Sequence, residues 1–322
     1  MLLLPDPACR LDLAARSSVG AGPHARTENQ DNFLTIDTDG MATYLVGQVV
    51  CQRQVAGWPR GHARVAVLDG MGGHGHGREA AEAVVAGLLY LPACTSIDTL
   101  EQALDALHVE LQQAFAGEPG RRPGTTLTML EIPPGGEALL YHVGDSRLYA
   151  IGAAAIAPLT VDHVPATAFA MAGAMEEQEW WQQVHGEHRP QISQAFMLGN
   201  AFSNPALLAD ALYQLTPNNL PAWLAHLADR RVLALQPGVT YVLATDGFWS
   251  CPRAQAWVAR WPALVAHCAD AAAVVSALFR EVTQHPPAGL APDNLTAVVL
   301  RRAPVTPELA DETAVPQGLL DE

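Results

Sequence analysis

The sequence predicts an α+β fold. Short, β-branched apolar runs recur with turn residues between them, and two stretches keep helical spacing over several turns. The 322 residues suffice for one large domain or two small ones, and a hydrophobic content of 49% supports a sizeable core.

In chain order, residues Leu11 to Leu34 read as strand, loop, strand, the loop holding Arg26-Thr27-Glu28-Asn29-Gln30-Asp31. Thr43 to Val50 alternates weakly and reads as a further strand. Gln52 to His62 is polar with Gly and Pro and reads as a surface excursion. Val65-Ala66-Val67-Leu68 is apolar throughout, as a strand covered on both faces should be. It stops at Asp69 and breaks into Gly70, Gly72, Gly73, Gly75 and Gly77. From Arg78 the period turns helical, with Ala81, Val84, Val85 and Leu88 on one face. A second helix is expected over Asp98–Phe115. Strands follow at Thr125–Ile132, Ala138–Val143 and Arg147–Ile151, closely spaced and joined by Pro133-Pro134-Gly135-Gly136 and Gly144-Asp145-Ser146. From about 161 to 236 strand signals vanish, and the stretch reads as an insertion or flap. Strand character returns at Thr240–Thr245, helices at Pro252–Arg260 and Asp270–Thr283, and a last strand at Leu295–Arg301. The acidic, Pro-containing tail 303–322 has few large apolar residues and reads as disordered.

Composition excludes several classes. All 18 basic residues are Arg, against 33 acids, for a net charge of −15. Such a surface repels nucleic acid and anionic membranes, so neither is expected as a partner. With no Lys in the chain, the glycine loop after Asp69 is no phosphate loop of the Lys-bearing kind. The five Cys are scattered and form no Cys-x-x-Cys pair, as suits reduced thiols in the cytoplasm. The first residues lack a basic region and an adequate apolar segment for a leader, and no run approaches a membrane span. His62, His74 and His76 lack the spacing of a zinc site. No Gly-x-Ser-x-Gly elbow supports a serine nucleophile. Trp180-Trp181 suits a partner surface or a pair packed under the flap.

Three apolar strands each abut a carboxylate. Asp69 and Asp246 follow theirs as Asp-Gly, and Asp293 precedes its own as Asp-Asn. In antiparallel strands one end lies beside the neighbour's beginning, so the three can gather at one rim of a sheet sandwich. Clustered carboxylates repel unless a cation neutralises them, and oxygen ligands alone suit Mg²⁺ or Mn²⁺. Arg26, five residues before Asp31, suits a phosphoryl group held by a planar fork.

Arg26-x-x-Asn29-Gln30-Asp31, Asp69-Gly70-Met71-Gly72-Gly73-His74, Gly124-Thr125-Thr126, Gly144-Asp145-Ser146-Arg147, Thr245-Asp246-Gly247 and Asp293-Asn294-Leu295-Thr296 occur in that order. Together they resemble the bacterial branch of the metal-dependent serine/threonine protein phosphatases, the protein phosphatase 2C-like family, over Leu11 to Arg302. The resemblance implies a four-layer αββα sandwich of two antiparallel sheets flanked by helices. It implies one catalytic domain over 9–302 with a flap insertion at about 163–236. It also implies two Mn²⁺ or Mg²⁺ ions and a weaker third. Asp69 and the Gly70 carbonyl would be ligands, with Asp69 shared. Asp246 and Asp293 would hold the second ion, and Asp145 would help hold the third. Asp31 would orient the attacking water and Arg26 would bind the substrate phosphate. Substrates would be phosphoserine and phosphothreonine proteins, those of a serine/threonine kinase, and the enzyme a cytoplasmic monomer. A catalytically silent phosphoprotein-binding member is the rival reading.

The sequence departs from the pattern in places. Met71 stands where eukaryotic relatives carry a His that protonates the leaving group, which leaves water as the donor. His74 is assigned a structural role. Gln30 stands where Glu is common. Ile192–Gly199 only approximates the usual flap signature. The flap partner of Asp145 has two weak candidates, Asp210 and Asp229.

Overall fold

The computed structural model describes residues 11–20, 26–72, 76–116, 122–186, 191–202 and 204–302. Two antiparallel sheets carry the molecule. The first has five strands in the order β1 (Leu11–Ser18), β16 (Leu295–Arg302), β15 (Thr240–Ala244), β10 (Arg147–Ile151) and β11 (Ile156–Pro158). The second has seven: β14 (Arg230–Leu233), β9 (Ala138–Val143), β8 (Leu127–Ile132), β5 (Ala63–Leu68), β2 (Asn32–Ile36), β3 (Met41–Val46) and β4 (Val49–Gln54).

Strand periodicity decides which layer each side chain joins. In β5, Val65 and Val67 face the other sheet, while Ala66 and Leu68 face helices. In β15, Tyr241 and Leu243 enter the inter-sheet core, and Val242 and Ala244 the opposite one. Helices α1 (His76–Tyr90) and α2 (Ile97–Ala114) cover the seven-stranded sheet with Ala81, Val84, Leu88, Leu100 and Leu104. Ser96 caps α2 by accepting the Thr99 N–H, a cap worth ~1 kcal/mol. The five-stranded sheet is covered by α5 (Ala254–Val258), α6 (Trp261–Val265) and α7 (Ala271–Gln284), the last capped by Asp270. This is the expected four-layer αββα sandwich.

The stretch after Val161 has a core of its own. It contains α3 (Pro165–Met171), α4 (Glu177–Trp181) and a π turn at Gln182–Gly186. Val161, Ala170, Val184, Leu215, Leu224 and Leu227 pack around Trp180. The Trp180 indole N–H donates to Thr167 at 3.1 Å, so of the two readings of the tryptophan pair the packed one holds for Trp180. A small ribbon, β12 (Gln194–Ala195) with β13 (Gly199–Asn200), lies beside a second one of β6 (Gly70–Met71) and β7 (Gly124–Thr125). Phe196 and Thr125 exchange backbone hydrogen bonds between the two.

Besides the two short ribbons, the structure differs from the strand reading at β4, β14 and β11. β4 runs to Gln54, into the stretch read as a surface excursion, because an edge strand exposed on both faces shows no apolar alternation. β14 lies where strand signals vanish, since Arg230-Arg231 make its first half polar. The three-residue β11 is too short to register.

Candidate active site

β5 delivers Asp69 to the sheet rim, where the chain turns at once into β6. A Cβ at Gly70 would collide with the carbonyls of Gly77 and Gln30, so only glycine lets the first turn of α1 and the Gln30 loop close on this corner. The Asp69 N–H is held by the Thr126 hydroxyl at 2.9 Å, and Thr126 in turn meets Ser146 at 2.7 Å. That chain of bonds fixes Asp69 against the turn carrying the buried Asp145.

The five-stranded sheet brings Asp246 and Asp293 to the same rim, at the end of β15 and just before β16. Asp246 opens a 3₁₀ turn and accepts from Ser250 at 2.9 Å. Gly247 passes so close to the Asn294 carbonyl that a Cβ would not fit. Asn294 clamps the Arg26–Asp31 loop, accepting the Gln30 N–H at 2.8 Å and donating to the Glu28 carbonyl at 3.0 Å. Asp31 then lies buried beneath the loop, where its carboxylate accepts from Thr245 at 2.9 Å.

These acids lie close enough to act on one another. Burial pushes the Asp31 carboxyl up to about 8, against the pull of hydrogen bonds from Thr296 and Thr245, and Asp293 and Asp246 raise it further. Asp69 keeps some open surface, yet burial of its carboxyl raises it well above the ordinary range, with repulsion from Asp31, Asp246, Asp145 and Asp293 adding to this. Asp293 is raised by burial and by Asp246, with Arg26 opposing. Arg26 reaches Asp293 at 3.3 Å and the Pro292 carbonyl at 3.2 Å, with more than half of its side chain exposed. The cleft above is about 640 Å³, lined by Arg26, Glu28, Gln30, Asp69, Met71 and Asp293 among others.

Carboxylates crowded around Asp69 in this way fit a hard cation. No group of three or more His, Cys, Asp or Glu among the described residues is placed to hold one ion by itself. Donors that are all carboxylate or carbonyl oxygens suit Mg²⁺ or Mn²⁺, which keep several waters and take few protein ligands each.

The two candidates for a flap carboxylate are engaged elsewhere. Asp210 is exposed and pairs with Arg122. Asp229 is buried, accepts the Leu215 N–H at 2.9 Å and faces His163 at 3.3 Å. His163 accepts the Gly144 N–H at 3.1 Å, so that imidazole stands between Asp229 and the Asp145 turn. His62 is buried against Glu131 at 2.7 Å, and His76 pairs with Glu79 on α1. His74 lies outside the described residues.

Sequence reasoning missed the parts that hold the ligand candidates. Thr245, Thr296 and Asn294 sit inside the quoted motifs, and their positions flanking Asp246 and Asp293 were the available signal. Glu28 lines the cleft and is held by Arg78 at 2.6 Å, a pairing 50 residues apart that no local pattern announces.

The sequence model of the protein phosphatase 2C family matches residues 45–281. Protein phosphatase PhpP of Streptococcus pneumoniae (serotype 2 strain D39 / NCTC 7466) is 32% identical over 126 residues, 37% of this chain and 51% of that protein. The chain thus spans about half the length of the curated relatives it matches. The S. agalactiae serine/threonine phosphatase structure is 19% identical with a TM-score of 0.62, covering 91% of this chain and 99% of that one. The catalytic domain of the serine/threonine protein phosphatase PstP, solved with two manganese ions, is 21% identical with a TM-score of 0.56, covering 91% and 98%. At these identities the solved structures speak to the fold.

Proposed function

Because the chain belongs to the protein phosphatase 2C family, we propose that it is a metal-dependent phosphatase of phosphoserine and phosphothreonine proteins. The observation that carries this is the gathering of the buried Asp31 and Asp246 with Asp69 and Asp293, which line the cleft, and of Arg26 at its mouth. Asp69, the Gly70 carbonyl, Asp246 and Asp293 would hold two ions, and Asp145 would help hold a weaker third. PstP is a fold relative solved with two manganese ions, which favours Mn²⁺ or Mg²⁺ here. Bound there, such ions supply the positive charge that phosphoryl transfer to water requires.

The chain's own groups do the rest. Asp31, pinned by Thr245, is a fixed acceptor that orients the attacking water. Arg26 turns its guanidinium toward the equatorial phosphoryl oxygens and stabilises their charge. Residues 9–302 form the catalytic unit, with the insertion at about 163–236 beside the cleft. The enzyme acts as a cytoplasmic monomer on targets of a serine/threonine kinase. Among the described residues no helix is long and apolar enough to cross a membrane.

The test is hydrolysis of p-nitrophenyl phosphate and a phosphothreonine peptide after EDTA treatment. Mn²⁺ or Mg²⁺ should restore both activities and Zn²⁺ neither, and Asp69→Asn should lose both by orders of magnitude. Full activity in EDTA, or in Asp69→Asn, overturns the reading.

A further inference from the structure

The β3–β4 hairpin ends in a two-residue turn, Gly47-Gln48, with both residues at positive φ. Gln48 adopts φ 69° without being glycine, a conformation few side chains take unless something holds it. What holds it is the cleft loop: the Gln48 side-chain carbonyl accepts the Asn29 N–H at 2.8 Å. Gly47 donates to Glu82 on α1 at 2.9 Å, and Glu82 shares Arg78 with Glu28. The hairpin tip is thus fastened to the wall of the cleft.

From that tip runs β4, the terminal strand of its sheet, with β3 on one side and its other edge open among the described residues. The pair Val46–Val49 closes the two-residue turn and exchanges hydrogen bonds, so the backbone groups of Val50 and Gln52 point outward. Natural edge strands are usually blunted by Pro, charged side chains, a bulge or very short length. β4 has six residues, no Pro and an unbroken register with β3, and its one charged side chain, Arg53, lies over the Tyr90 ring of α1. Its tip also exposes Val46, Val49 and Val50 at 50%, 65% and 60%.

Resting on the phosphatase reading above, we propose that the open edge of β4 takes up an extended segment of the phosphoprotein substrate by strand addition. A phosphoresidue seated in the cleft must send its flanking chain outward. The wall it meets beside Glu28 and Gln30 leads through Asn29 and Gln48 onto β4. Six residues span about 20 Å, enough for a flanking run of similar length. Backbone pairing supplies affinity, and the exposed valines favour β-branched or apolar side chains at alternate positions. A second copy of the chain is the weaker occupant. Pairing over six residues alone falls short of the ~1,200 Å² that stable interfaces bury.

The experiment compares three substrates with Mn²⁺: p-nitrophenyl phosphate, a phosphothreonine tripeptide, and phosphothreonine peptides carrying six alternating Val and Thr residues on the N-terminal or C-terminal side. Wild type should show a KM about fivefold or more lower for one long peptide than for the tripeptide. Val50→Pro removes an outward amide and should erase that advantage, with p-nitrophenyl phosphate kinetics unchanged. Val49→Asp keeps the backbone intact and should weaken the same peptide, so it decides the matter if Val50→Pro does not fold. Equal KM for long and short peptides in wild type overturns the docking surface. Sedimentation showing a dimer that Val50→Pro dissociates assigns the edge to a second copy and also overturns it. Inactivity of wild type toward every substrate overturns the phosphatase reading instead.

Discussion

The Thr245 hydroxyl donates to the Asp31 carboxylate across 2.9 Å, joining residues from different sheets at the floor of the cleft. Thr245 immediately precedes Asp246, so one short segment supplies both a ligand candidate and the anchor of the acceptor opposite. Thr245→Val removes the anchor while keeping the shape. A hydrogen bond to a buried charge contributes ~1.5–3 kcal/mol, so turnover near neutral pH should fall roughly tenfold or more, with the activity profile displaced to higher pH. Thr245→Ser should restore both. A Val variant with wild-type kinetics would remove Asp31 from the chemistry.

The same cluster sets a pH dependence for the metal-free protein. Asp31 keeps its proton in the native state up to about 8, whereas the unfolded chain releases it near 4. The native state thus binds more protons across that interval, and stability falls as pH rises through it. Asp69, also raised, and Asp229, raised to about 7, act in the same direction. His142 and His163, buried and lowered to about 3, act oppositely between about 3 and 6.5. From about pH 6.5 to 8 the acids act alone, so Tm in EDTA should drop over that interval and Mn²⁺ should cancel the drop. Asp69→Asn removes one carboxyl whose burial and crowding disfavour its ionised form. It should raise Tm in EDTA at pH 8 and shrink the Mn²⁺-induced rise. A lower Tm in EDTA for this variant would contradict the repulsion argument.

What the sequence disclosed and what it hid have physical reasons. Asp69, Asp246 and Asp293 were legible because each interrupts a strand buried on both faces, where a carboxylate stands out. The four-layer sandwich was legible through the family resemblance, whereas spacing alone gave closely spaced strands joined by turns at Pro133 and Gly144. β4 and β14 were hidden because edge strands need no apolar alternation. The clasp of Thr245 and Thr296 on Asp31 and the Arg78–Glu28 pair were hidden because they form between segments far apart in the chain.

The Arg64–Glu131 pair is another such contact, and it bears on stability alone. Arg64 is fully buried, bonds Glu131 at 2.6 and 2.9 Å, and donates to the carbonyls of Leu88, Leu91 and Pro92 at the end of α1. It satisfies helix-terminal acceptors that would otherwise be orphaned. Arg64→Ala leaves Glu131 buried with a weaker partner set and should cost ~3–5 kcal/mol by urea unfolding. Loss of under 1 kcal/mol would show that water replaces the guanidinium.

Arg26 leans on Asp293 at 3.3 Å in the structure, although the proposed chemistry turns it toward phosphate. Arg26→Ala should raise KM and weaken inhibition by inorganic phosphate by about tenfold, since a charge-assisted fork is lost. Arg26→Lys should recover only part of this, because an ammonium cannot make the bidentate contact. Phosphate inhibition unaltered in the Ala variant would leave Arg26 as a partner of Asp293 alone.

Met71 lines the cleft one residue beyond Gly70, on the short ribbon paired with Gly124. A thioether donates no proton, so a departing serine or threonine alkoxide must take its proton from water. Aryl phosphates leave without such help. Wild type should therefore favour p-nitrophenyl phosphate over a phosphoserine peptide, and Met71→His should narrow the gap by improving the peptide alone. The introduced imidazole should also add an alkaline fall in peptide kcat/KM near its own pKa, absent from the aryl profile. Both profiles on both proteins measure this. Should wild type show no aryl preference, an acid other than residue 71 already serves the leaving group. His74, three positions on in the same glycine stretch, would then be the first side chain to replace.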